Sequence, residues 1–168
     1  MMQRLLIAFI LLAPLRAASL EKVDLKINGH ILHVEVATTA EEKSKGLMNR
    51  KEMAPNDGMI FIFTPPERVS FWMKNTLIPL SLAFVDEKLT IVEMHDLNPP
   101  VSIMQRDIPR ADSQGPILIV IEMNQGWFKK NKIPLHARVE LVSQTKNALI
   151  AKIFAAHAGQ KSSSAPTH

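Results

Sequence analysis

"VDLKINGHILHVEV", running from Val23 to Val36, decides the reading of the fold. Val23, Leu25 and Ile27 alternate with Asp24 and Lys26, and Asn28-Gly29 then supplies the positive-φ pair that a type I′ turn requires. His30, Leu32, Val34 and Val36 resume the same row beyond the turn. With a two-residue turn, Ile27 faces His30 and Leu25 faces Leu32, so the apolar rows coincide. Asp24 then faces His33 and Lys22 faces Glu35 on the opposite side. Turn chemistry and hydrophobic register agree, and a slip of one residue would turn every apolar side chain to water. The stretch predicts a hairpin with one buried face.

Working outward, Thr39 and Glu42 have the spacing of a capping box, and Gly46 ends the short helix they open. A loop through Pro55-Asn56-Asp57-Gly58 leads into a strand over Met59 to Phe63, which Pro65-Pro66 is expected to break. Another strand begins over Val69 to Met73. Leu80 to Val85 and Leu89 to Met94 form a second predicted hairpin around Asp86-Glu87-Lys88. Ile117 to Met123 is a continuous apolar run, as a central strand buried on both faces would be. Trp127 and Phe128 mark a helical turn, His136 to Val142 a closing strand, and Ala148 to Ala156 a final helix. Between His95 and Pro116 no periodicity is visible, and four prolines punctuate the segment. The expected architecture is mainly β (α+β): a compact single-domain β-barrel or sandwich-like fold with a few short helices.

Residues 1–18 read as a signal peptide. Met1-Met2-Gln3-Arg4 is a short basic start, Leu5 to Leu12 an unbroken apolar run, and Leu15-Arg16-Ala17-Ala18 ends in small residues, which places cleavage near Ala17–Ala18. The apolar run is too short for a stable membrane span. No Cys follows it, so a lipid anchor on cysteine is excluded. Residues 19–143 then form the β-rich domain, and residues 144–168 a helix and a disordered tail rich in Ser. Without Arg4 and Arg16 the formal charge of +4 falls to +2, too little to argue for nucleic acid. The chain has no Cys, so neither disulfides nor thiol chemistry is available. The expected location is periplasmic or secreted.

"FWMKNTLIPL", Phe71 to Leu80, sets Lys, Asn and Thr between apolar flanks. As an extended strand it would show Trp72, Lys74 and Thr76 on one face, with Lys74 beside the indole, and would bury Phe71, Met73 and the Asn75 amide on the other. Buried polar groups need partners, so loops rich in them should come near. The candidate ligand-binding set is therefore Trp72, Lys74, Asn75, Thr76, Arg50, Asp57 and Ser81. In the plainer reading Asn75 braces a turn and Lys74 extends over Trp72 into water.

"GLMNR", "DGMIFIF", "FWMKNTLIPLSLAFVD" and "IEMNQGWFKKNKI" together resemble the domain-of-unknown-function 192 family over roughly Val23 to Val142. The resemblance implies a β-rich single domain, often found behind export signals, with no established reaction. The chain departs from the family pattern at Ser81, where members commonly carry Asp, and in having no Tyr.

Three functions follow from different features. An exported, envelope-associated binding or accessory domain, with an unknown small molecule or envelope protein as partner, fits the polar and aromatic stretch. A cell-envelope hydrolase or transferase would use Lys74 and Asn75, yet no nucleophile elbow or triad spacing accompanies them. A periplasmic copper protein would use Met94, His95 and other Met and His residues, but the nine Met are scattered and fit core filling equally. The expected cofactor and metal content is none.

Overall fold

A computed structural model describes residues 19–102 and 104–157. In chain order the elements are β1 (Lys22–Ile27), β2 (His30–Ala37), α1 (Ala40–Lys45), β3 (Asp57–Glu67), β4 (Ser70–Trp72) and β5 (Leu80–Val85). There follow β6 (Ile91–Leu97), β7 (Arg110–Asp112), β8 (Ile117–Asn124), α2 (Trp127–Lys130), β9 (Val139–Leu141) and α3 (Ala148–His157). The expected signal peptide, residues 1–18, and residues 158–168 of the expected tail lie outside the described residues.

The opening hairpin forms in the predicted register. Leu25 pairs with Leu32 and Ile27 with His30, and both turn residues have positive φ, 48° at Asn28 and 83° at Gly29. Val23, Leu25, Leu32 and Val34 are fully buried. On the other face His33 meets Asp24 at 2.6 Å. Lys22 and Glu35 lie opposite each other but do not pair: Lys22 turns to Asp57 at 2.9 Å, and Glu35 takes both guanidinium arms of Arg50. A planar fork matches a carboxylate better than a point charge does, which explains the exchange.

Among the described residues one sheet runs in the order β6-β5-β8-β3-β2-β1-β9, with β2 and β3 parallel and the other pairs antiparallel. Right-handed twist curls it until its two ends meet. There Thr90 bridges Arg138, and Ile91 and Val139 donate backbone hydrogen bonds to Ala137 and Leu89. The result is a barrel-like sheet with two apolar layers. Inside the curl, Leu25, Leu32, Ile60, Ala83, Ile121 and Met123 pack together, and α3 closes the layer with Ile150, Ile153 and Phe154. Outside it, Met59, Phe61, Leu82, Phe84 and Val120 meet Val69, Met73, Ile78 and Ala111. Burial on both sides explains why β8 reads as a nearly continuous apolar run.

Two expectations are corrected. Pro65-Pro66 does not end the strand. The β3–β8 ladder pairs Gly58 through Ile62 with Met123 through Ile119, then resumes at Glu67 opposite Ile117. Both prolines fall in the bulged gap, where the ladder asks for no amide N–H. The segment from His95 to Pro116 also holds a strand. β7 pairs with β4, Phe71 opposite Ala111, as a two-stranded ribbon laid over the outer layer. Three residues are too few to show a period, and their partner is remote in sequence.

Candidate functional site

The capping box opens α1 as its sequence specifies. Thr39 Oγ1 accepts from the Glu42 amide at 3.2 Å, and the Glu42 carboxylate accepts from the amides of Thr38 and Thr39. Those two amides hold the Glu42 carboxyl below its ordinary value. This fixes the direction in which α1 leaves β2, and "GLMNR" follows directly from its end. The Asn49 amide donates to the Asn75 carbonyl at 2.8 Å, so "GLMNR" is fastened to "FWMKNT" through backbone.

The strand expected to run through "FWMKNT" stops at Trp72. Met73 to Thr76 form a turn closed by the Thr76 amide on the Met73 carbonyl at 3.1 Å, with Asn75 at φ 54°. Asn75 is therefore exposed rather than buried, while Met73 and Thr76 are buried. Asn tolerates the left-handed conformation better than other side chains do. Asn75→Ala is expected to cost about 1 kcal/mol and lower the melting temperature by about 3 °C, with Asn75→Gly close to wild type; parallel thermal melts check it.

Between these two fastened segments lies a cavity of about 390 Å³. Residues 43–48 form one wall and residues 67–72 with Thr76 the other; Phe61, Phe63 and Glu122 face it from the sheet. Phe71 stands edge-on to Phe61 at 4.9 Å and to Phe63 at 6.2 Å. Lys43 Nζ sits over the Phe63 ring at 4.4 Å and donates to the Ile62 carbonyl.

Glu122 is the residue that sequence reasoning passed over, hidden inside "ILIVIEMN". It lies on the central strand β8, flanked in register by Met59 and Leu82, and is 8% exposed. Burial pushes its carboxyl up to about 8, and Arg50 nearby draws it back only in part. No hydrogen bond contributes. Arg50 is already committed to Glu35, at 2.7 and 2.6 Å, which raises the guanidinium further and leaves Glu122 to keep its proton at neutral pH. The available signal was one acidic residue in an eight-residue run that is otherwise apolar up to Asn124.

Of the seven residues proposed from sequence, Trp72 and Thr76 line this cavity. Lys74 lies beside the Trp72 indole, 5.2 Å from ring centroid to Nζ. Arg50 stands close to Glu122 without lining the space, and Asp57 pairs with Lys22. Ser81 is buried on β5, donates to Asp96 and accepts from the Gly126 amide at 2.7 Å. The hydroxyl thus ties β5 to β6 and to the approach to α2, away from the cavity. Met94 and His95, paired in the copper reading, diverge: Met94 packs on the inner layer, and His95 stacks on Phe84 at 5.2 Å on the outer one. Among the described residues, no helix is long and apolar enough to cross a membrane.

The family described as "Uncharacterized ACR", domain of unknown function 192, matches residues 23–141. The chain belongs to this family. Two solved structures resemble this domain-of-unknown-function 192 protein. A Sinorhizobium meliloti protein described as a candidate transcription regulator is 33% identical, with a TM-score of 0.67 over 74% of this chain and 97% of that one. A Novosphingobium aromaticivorans protein of unknown function is 32% identical, with a TM-score of 0.65 over 76% of this chain and 89% of that one. No protein of curated function matches.

Proposed function

We propose that this domain is an exported binding or accessory module of the cell envelope, and that the recess between α1 and β4 is its small-molecule site. The observation that carries the reading is Glu122: a carboxyl buried on the central strand, without a hydrogen-bond partner, at the floor of an aromatic-walled cavity. Its oxygens are not sealed in the core, since no fully buried side-chain polar atom among the described residues lacks a partner, and a desolvated carboxyl that opens onto a cleft is a functional-site candidate. The cavity volume falls within the range of small-molecule sites, roughly 300–1,000 Å³. The basic and apolar start of the chain supports export. Lys74 and Asn75 are exposed on a turn outside the cavity, which favours binding over a reaction built on that pair.

The test is a fragment titration followed by amide and methyl NMR. Binding fragments should shift residues 43–48, Phe61, Phe71 and Trp72 together. Trp72→Ala should weaken them at least tenfold while moving the melting temperature by about 2 °C or less, because that side chain is 55% exposed. Shifts that gather elsewhere, or no binding at millimolar fragment, would reject the site.

A further inference from the structure

The mouth of the cavity carries Lys43, Lys45 and Arg68 against a single acidic side chain, Glu67, and none of the four forms an ion pair among the described residues. The floor offers Glu122, and the space between is walled by Phe61, Phe63, Phe71 and Trp72. Aromatic faces take a planar apolar body. Uncompensated cations at a partly apolar mouth draw anions and hold them by charge-assisted contacts.

We infer that the ligand of this recess is an organic anion with a planar apolar body, its charge at Lys43, Lys45 and Arg68 and an acceptor atom turned to the Glu122 carboxyl. The inference rests on the recess being a binding site. A buried carboxyl that keeps its proton donates a hydrogen bond to a carbonyl, phenolic or similar oxygen, whereas an ionised one would repel the same atom. The charged groups around Glu122 sustain that state. Arg50 is neutralised by Glu35, Asp57 by Lys22, and His95 lies beyond Leu82 with Glu93 at 3.2 Å. No free cation in this set pairs with Glu122 and strips its proton. A cationic ligand would do so, but it would first have to pass the three basic side chains.

The experiment compares three probes on the purified protein. 1-Anilinonaphthalene-8-sulfonate is an anion on a planar naphthalene, N-phenyl-1-naphthylamine the same ring system without charge, and 1-naphthylmethylammonium the cation; the first two are followed by fluorescence and the third by competition. The sulfonate should bind at least tenfold more tightly than the uncharged probe, and Lys43→Gln with Arg68→Gln should erase that difference. Trp72→Ala should weaken every probe that enters the recess. Affinity for the sulfonate should fall severalfold between pH 7 and pH 9, because an ionised Glu122 adds a like charge to the recess, and Glu122→Gln should abolish the fall. Equal affinity for sulfonate and uncharged probe, or preference for the cation, overturns the anion while leaving the recess as a site. A pH fall that persists in Glu122→Gln overturns the part given to Glu122. If none of the three probes binds, the recess reading fails and this inference with it.

Discussion

Glu122→Gln raises the melting temperature by about 15 °C at pH 9 and leaves it almost unchanged at pH 4. The buried carboxyl titrates at about 8 in the folded protein, against an ordinary value of 4.5. Below 4.5 both folded and unfolded chains hold the proton, so Glu122 costs nothing through ionisation. Between 4.5 and 8 the unfolded chain releases the proton and the folded one keeps it, so stability falls as pH rises. Above 8 both are ionised, and the loss stays constant at up to about 5 kcal/mol, on the order of 1.4 kcal/mol per pH unit of displacement. Glutamine keeps the shape and cannot ionise, so it escapes the whole loss. At about 3 °C per kcal/mol for a domain of this size, the gain is about 15 °C. Melting curves recorded from pH 4 to pH 9 should diverge steadily and then run parallel. Curves parallel throughout would mean that Glu122 is charged or solvated in the folded state.

Gly58→Ala is expected to destabilise the domain by about 3 kcal/mol or more, a loss of at least about 10 °C. Gly58 sits in β3 with neighbours on both sides, Val34 on β2 and Met123 on β8. A Cβ built there would lie 2.3 Å from the Glu122 carbonyl oxygen and 2.4 Å from the Met123 sulfur. The sulfur could swing away on its flexible side chain, but the carbonyl belongs to a ladder held from both edges. Met123→Ala should therefore rescue little of the loss. A Gly58→Ala protein melting within 2 °C of wild type would show that β8 can shift at this point, and the placement of Glu122 would then need revision.

The hairpin was legible because two independent signals, the Asn28-Gly29 turn and the alternation on each side, demanded one register. The capping box of α1 was legible for a similar reason, since Thr39 and Glu42 satisfy each other locally. Two of the differences are long-range. β7 has no signal of its own and exists because β4 lies beside it. The prolines within β3 are tolerated because they fall in the gap of the β3–β8 ladder, which nothing in their own neighbourhood records. "FWMKNT" was read as a strand because its flanks are apolar, yet the αL tendency of Asn75 ended the strand after Trp72. Trp72 and Thr76 still reached the recess, one from the strand and one from the end of the turn. Glu122 was missed because a continuous apolar run directs attention to its period and away from its one acidic member. A charged residue type in a strand buried on both faces is itself a signal, since such residues are almost never fully buried without a partner.

The most direct measurement is a pH titration of the Glu122 side-chain carboxyl by carbon-13 NMR, assigned by its loss in Glu122→Gln. The account predicts a midpoint near 8, well apart from every other carboxyl, and a further displacement of that resonance when 1-anilinonaphthalene-8-sulfonate occupies the recess. A midpoint close to 4.5, unmoved by the probe, would show an ordinary solvated carboxylate and would contradict the site built on it.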